Sequence, residues 1–220
     1  MSLRFLTAGE SHGPGLTVIL EGMPAGVPLS RSRVERMLRR RMQGHGRGGR
    51  MNIETDTIEF TGGVRFDATL GSPIAIAIEN REFASWTEAM APEGEPPESA
   101  RRVTRPRPGH ADLAGALKYD THDARDILER ASARETAART AAGAIAAALL
   151  HELGVDVTSR TAAVGPVEAP ALADDGFDRL VALPDDAPMR CEHAATVEAM
   201  IAEVDRARAS KDSVGGVFEV

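Results

Sequence analysis

One cysteine, Cys191, is all that the 220 residues contain, so no disulfide can form within the chain. That usage fits a reducing compartment. Aromatic side chains are scarce at 4%, with one tryptophan and one tyrosine, which argues against a base-stacking surface for single-stranded nucleic acid. Lysine is almost missing: Lys118 and Lys211 are the only two among 26 basic residues, and the rest are arginine. No run approaches the roughly 18 apolar residues of a membrane span. The segment from Met1 to Thr7 lacks the apolar stretch of a signal peptide. The expectation is a soluble, cytoplasmic protein with no membrane partner, no nucleic-acid partner and no metal site.

What is present is enough to build a core, since 42% of the residues are apolar. Charge is unevenly spread. The total is −7, but residues 1–110 sum to +2 and residues 111–220 to −9. Between Arg31 and Arg50 there are eight arginines and one acid, Glu35. Such a run can serve as helix C-terminal charge followed by a solvated loop, or as a funnel for a multiply charged anion. Arginine suits the second role, because its planar fork matches phosphate and carboxylate.

The chain shows no internal repeat and no heptad pattern. Arg4 to Thr7 and Leu16 to Glu21 read as strands, joined by a glycine-rich turn over residues 9–15. Arg31 to Met42 reads as a helix capped by Ser30 or Ser32. Strand-like stretches such as Thr57 to Phe60 follow, and Ile74 to Ile78 alternates like a strand with one buried face. Pro92 to Pro97 reads as an exposed loop. The strongest helix spans Ala133 to Leu153, with Ser132 and Glu135 as a capping box and Gly154 as its stop. Its middle, Ala141 to Leu150, is apolar nearly all round and predicts a buried helix. Val155 to Val164 reads as a strand. Glu192 to Ala209 reads as a helix that buries Val197, Met200, Ile201 and Val204. Ser213 to Val220 begins another strand. The pattern predicts an α+β class.

Three segments could carry chemistry. Gly9-Glu10-Ser11-His12-Gly13 places a histidine in a turn whose glycines permit a sharp bend and a close ligand approach. Arg107-Pro108-Gly109-His110-Ala111-Asp112 sets a histidine beside a carboxylate on a stiff, non-helical path. Glu129-Arg130-Ala131-Ser132-Ala133-Arg134-Glu135-Thr136 enters the long helix, where unpaired N–H groups favour an anion. Each has a plainer reading: a turn histidine bonded to backbone, a polar surface loop, an ordinary helix cap.

Taken in order, these segments resemble the chorismate synthase family. Thr7-Ala8-Gly9-Glu10-Ser11-His12-Gly13-Pro14, Gly44-His45-Gly46-Arg47-Gly48-Gly49-Arg50-Met51, the segments around His110 and Ser132, and Asp212-Ser213-Val214-Gly215-Gly216-Val217 all carry the likeness. It runs from Arg4 to Val220. The resemblance implies a layered β-α-β sandwich, with central helices between antiparallel sheets, and a homotetramer. It implies anti-1,4-elimination of phosphate from 5-enolpyruvylshikimate 3-phosphate, using reduced FMN (FMNH2), with NADPH as a candidate reductant of the flavin. On that resemblance His12 and His110 are the catalytic pair. Arg130, Ala131, Ser132, Arg41 and Arg47 are cofactor or anion contacts, and Arg50 and Arg134 are further substrate contacts. Ala131 stands where the family often has serine. The family's members are longer. Residues 1–220 are therefore expected to form one domain incomplete at its C-terminus, with little activity alone. A truncated or inactive flavin- or anion-binding paralogue is the alternative, and a nucleic-acid module resting on Gly46 to Arg50 is a further one.

Overall fold

The computed structural model describes residues 2–48, 55–97 and 100–220. The chain divides into two compact units, residues 1–38 with 54–152 and residues 39–53 with 153–220. The class is α+β, built from helices and antiparallel sheets, as the pattern predicts.

The first unit opens with strands β1 (Arg4–Ala8), β2 (Gly15–Glu21) and β3 (Ala25–Pro28), then helix α1 (Arg31–Met42), whose residues after Leu38 belong to the second unit. Strands β4 (Ile58–Gly62), β5 (Val64–Arg65), β6 (Ala68–Leu70) and β7 (Ile74–Glu79) follow. Four of them form an antiparallel sheet in the order β1-β2-β7-β4, and β3-β6-β5 form a smaller one. Alternation fixes the register. Leu16, Val18 and Leu20 of β2 lie opposite Ile78, Ile76 and Ile74 of β7, and all six side chains are buried. Slipping the pairing by one residue would turn this row out to water. Each large aliphatic side chain buried here contributes about 1.5–3 kcal/mol.

The long helix α4 (Thr136–Glu152) packs against this sheet. Its buried residues are Ala137, Ala138, Ala141, Ala142, Ala144, Ile145 and Ala148, small side chains that let helix and sheet approach closely. The expected burial of its middle is therefore met. Its start differs from the expected capping box. A 3-10 turn, Ala133–Glu135, comes first, and the Ser132 hydroxyl accepts from the Arg134 N–H at 3.3 Å. The Glu135 carboxylate does not complete the box; it accepts from Thr7 Oγ1 at 2.7 Å and Arg139 Nε at 2.7 Å.

Two short helices were not legible in the sequence: α2 (Asp112–Tyr119) and α3 (Arg125–Arg130). Gly115 makes their packing possible, because a Cβ there would lie 2.4 Å from Ile127 Cγ2. A glycine inside an eight-residue helix weakens the local signal that a reader of the sequence relies on.

The second unit holds β8 (Arg160–Val164), β9 (Val167–Glu168), α5 (Gly176–Val181), α6 (Ala194–Ala209) and β10 (Gly216–Glu219), with sheet order β10-β8-β9. The strand expected from Val155 begins only at Arg160; Val155 and Val157 are exposed. Helix α6 buries Thr196, Met200, Glu203 and Ala207, so the expected stripe holds at Met200 while Val197, Ile201 and Val204 are half-buried. The stripe turns because Glu203 covers Gly165, where any Cβ would meet its carboxylate at 2.7 Å, and Arg206 pairs with that carboxylate. Buried Arg160 is neutralised by Glu192 at 2.7 Å and Glu219 at 2.6 Å.

Candidate active site

The turn after β1 is pinned from two sides. Gly9 has φ +104, and a Cβ there would meet the Gly15 carbonyl oxygen at 2.2 Å, so no other residue fits. Asn80, at the end of β7, donates through Nδ2 to the carbonyls of Glu10 at 2.9 Å and Gly13 at 2.8 Å. From the other side, the Ser11 N–H donates to the backbone carbonyl of Glu129 at 3.0 Å. The turn thus joins the sheet to α3 and carries His12 with it.

His12 is held on several faces. Its backbone N–H donates to Glu129 Oε2 at 2.9 Å, and its ring Nδ1 lies 2.8 Å from Oε2 and 3.0 Å from Oε1 of the same carboxylate. Glu129 is 1% exposed, and its carboxylate also faces Arg125 Nη1 at 3.6 Å. The ring stacks on Trp86 with centroids 4.1 Å apart and planes at 24°. The Arg125 guanidinium lies 5.4 Å from the Trp86 ring. Nε2 lies 3.8 Å from Glu82 Oε2.

The second histidine is built on a similar plan. His110 Nδ1 bonds to Asp112 Oδ1, and Asp112 is fully buried at the first turn of α2. Arg107 grips the other oxygen, Oδ2, through its backbone N–H and through Nε, both at 3.0 Å. Its Nη2 lies 3.1 Å and 3.2 Å from the two ring nitrogens of His110. The hydrogen bond from Arg107 holds the Asp112 carboxyl well below the usual carboxylate range, against the opposing effect of burial. Arg107 is raised in turn, first by its hydrogen bond to Asp112 and, more weakly, by the charges of Asp112 and Glu129.

This pairing carries a pH signature. A carboxyl whose folded pKa is depressed stabilises the fold at every pH above its ordinary value of about 3.9. The contribution disappears as pH falls through the lower, folded value. The stability difference between the protein and Asp112→Asn is expected to stay constant above about pH 5 and to shrink steadily as acid is added. Urea unfolding at a series of pH values measures it; a difference that does not change with pH would contradict the assignment.

The arginines around the turn divide in two. Arg130 Nη2 donates to the Thr7 carbonyl at 2.8 Å and to Thr7 Oγ1 at 2.7 Å, and its side chain remains 40% exposed. Arg134, expected to meet substrate, is buried. Its guanidinium donates to Asp56 Oδ1, to Asn80 Oδ1 at 2.8 Å and to the Glu79 carbonyl at 3.1 Å. Each of its three nitrogens thus donates to a protein acceptor, so it braces Asn80 and hence the His12 turn. Ser132 is half-buried at the helix cap, and the Ala131 N–H is bonded to the Ile127 carbonyl at 2.9 Å. Any backbone contact from Ala131 to a ligand therefore falls to its carbonyl. Nearby Glu135 is held below the ordinary range: burial opposes this, but hydrogen bonds from Thr7 and Arg139 and the charges of Arg139 and Arg130 outweigh it.

Arg41 and Arg47 belong to the second unit. Arg41 is half-buried in the last turn of α1, and exposed Arg47 donates through Nε to the Gln43 carbonyl at 3.0 Å. Arg50 lies outside the described residues. The sequence reading missed the partners of His12, namely Glu129, Trp86 and Glu82, and the brace formed by Asn80 and Asp56. One signal was available, since the only tryptophan of a chain poor in aromatics is Trp86.

The first unit is thus an α+β scaffold that presents two carboxylate-held histidines and a half-exposed arginine, a site suited to proton transfer at an anionic ligand. The family model described as chorismate synthase matches residues 3–220, and the chain belongs to that family. It is 51% identical over 223 residues to the chorismate synthase of Symbiobacterium thermophilum, covering 99% of this chain and 57% of that protein. It is 54% identical over 218 residues to the chorismate synthase of Acidobacterium capsulatum, covering 99% of this chain and 56% of that protein. A solved structure described as a crystal structure of chorismate synthase superposes with a TM-score of 0.75 at 39% identity, covering 99% of this chain and 57% of that one. The chain therefore spans little more than half the length of the relatives it matches. Among the described residues, no helix is long and apolar enough to cross a membrane.

Proposed function

We propose that the protein converts 5-enolpyruvylshikimate 3-phosphate to chorismate and phosphate by anti-1,4-elimination, a carbon–oxygen lyase reaction that needs reduced FMN. The observation that carries this reading is His12, locked on Glu129 and stacked on Trp86 within the family's own turn motif. The hydrogen lost in this reaction sits on a carbon of little acidity, and reduced FMN, when bound, supplies transient electron density and accepts that proton. The donors present fit an anion-bearing cofactor. Arg130 keeps 40% of its side chain exposed, and Ser132, two residues on, caps the 3-10 turn that leads into α4. In this reading Arg130, Ala131 and Ser132 hold the flavin, Arg41 and Arg47 meet anionic groups of cofactor or substrate, and Arg50 adds a substrate contact.

The chain's own residues then have defined tasks. His12 Nε2 gives its proton to an oxygen of the departing phosphate as the C–O bond breaks and its electron pair leaves with the phosphate. The ring returns to its neutral form with the proton on Nδ1, and Nε2 is reprotonated from water. His110, fixed by Asp112, sets the protonation state around the flavin. Arg134 acts as a positioning residue through Asn80. The whole protein works as a cytoplasmic homotetramer, with flavin reduced by NADPH or by a separate reductase.

The reading is tested by anaerobic assay of the 220 residues, both alone and joined to the part of the Symbiobacterium relative that the chain does not span. The joined protein is expected to form chorismate with reduced FMN, at rates typical of enzymes, about 1–10³ per second, and the chain alone to form little. No chorismate from a folded, joined protein would overturn the proposal.

A further inference from the structure

We infer that Glu129 is the positioning residue that sets the tautomer of His12, an inference that deepens the proposed reaction and rests on it for its catalytic meaning. A neutral histidine in water carries its proton mainly on Nε2. Here both oxygens of one carboxylate lie within 2.8–3.0 Å of Nδ1. An ionised carboxylate only accepts hydrogen bonds, so Nδ1 must be the nitrogen that bears the proton. The preference found in water is reversed, and Nε2 becomes the site that takes and gives the working proton.

The geometry favours this role over simple charge pairing. Glu129 Oε2 also accepts the backbone N–H of His12 at 2.9 Å, and the backbone carbonyl of Glu129 accepts the Ser11 N–H at 3.0 Å. One residue thereby fixes the position of the turn, the orientation of the ring and the location of its proton. Trp86 stacks on the ring and limits its rotation. Glu82 Oε2 lies 3.8 Å from Nε2, beyond hydrogen-bond distance and farther than either Glu129 oxygen from Nδ1. Arg125 Nη1 lies 3.6 Å from Oε1 and places a second cationic group beside the buried carboxylate.

Glutamine in place of Glu129 keeps the shape but removes the constraint. Its single oxygen can serve the His12 backbone N–H while its NH2 group, in the place of the second oxygen, can donate to Nδ1, which admits the ring proton on Nε2 where two acceptor oxygens do not. The test uses the 220-residue chain with ¹⁵N-labelled histidine, observed by NMR at the alkaline end of a titration, where the ring is neutral. His12 of the unaltered protein is expected to show a protonated Nδ1 and a bare Nε2. Glu129→Gln should move the proton toward Nε2, and Glu129→Asp, which keeps an acceptor-only group, should restore part of the original signature. A merely structural carboxylate would leave the tautomer unchanged. In the joined, active protein, Glu129→Gln is expected to lower kcat by about 10²–10⁴-fold with KM changed little, the order found when a histidine loses its orienting carboxylate.

The outcomes separate the two claims. An Nε2-protonated His12 in the unaltered protein, or the same tautomer in Glu129→Gln, overturns the inference whatever the turnover. A tautomer that switches as described supports it even if no chorismate forms, and in that case the proposed reaction alone is wrong. A switched tautomer with unchanged kcat in an active protein overturns the catalytic role.

Discussion

His12→Ala is expected to lower turnover of the joined protein by about 10²–10⁴-fold, the usual loss when a positioned proton donor is removed. The fold should survive. The ring is 23% exposed and belongs to neither of the two apolar core clusters. After its removal, Glu129 still has the backbone N–H of residue 12 and the Arg125 guanidinium as partners. The loss should therefore fall on kcat, with far-UV circular dichroism and the thermal midpoint close to those of the parent. His12→Asn sharpens the comparison, because an amide can still donate to Glu129 yet cannot supply a proton near neutral pH. Both variants should be slow. Turnover within a few-fold of the parent in either would remove His12 from the reaction.

Arg134→Met should have the largest effect on stability, about 3–5 kcal/mol, the cost of breaking a buried ion pair from one side. The substitution leaves the Asp56 carboxylate buried without the guanidinium that neutralises it, and it takes a donor from Asn80 Oδ1 and from the Glu79 carbonyl. Removing the charge as well, in Arg134→Met with Asp56→Leu, should recover part of the loss, because the uncompensated carboxylate is the costly element. Urea unfolding of the two single variants and the double variant supplies the cycle. A change below about 1 kcal/mol for Arg134→Met would show that the pair contributes little, as surface pairs do. Asn80 links this network to the turn, so the variant should also slow the reaction without touching substrate.

Both expectations depend on residues far apart in sequence, and that distance explains what the sequence could and could not reveal. Helix α1 and strand β7 were legible almost to the residue because their periodicity is strong and their ends are marked. The burial of α4 followed from its alanines. The short helices α2 and α3 were not legible, because their packing depends on Gly115 meeting Ile127, a tertiary contact with no local signature. The shifted face of α6 has the same origin, since Glu203 is buried by packing over Gly165, a contact its polarity does not announce. Within the site, the histidines stood out by motif. Glu129 was visible only as part of the helix-entry segment; its partner His12 is 117 positions away, and nothing between them records the contact. Arg134 illustrates the opposite limit. Its motif suggested a ligand contact, while Asp56 and Asn80, 78 and 54 positions away, turn it into a brace.

The proposed reaction eliminates phosphate from an enolpyruvyl ether with a flavin that is not consumed. The direct measurement follows chorismate and inorganic phosphate together, under anaerobic conditions, in the joined protein supplied with a small amount of reduced FMN. The expected result is one phosphate for each chorismate, many turnovers for each flavin, and no net oxidation of the flavin when substrate is exhausted. Phosphate released without chorismate, or flavin oxidised in proportion to product, would contradict it.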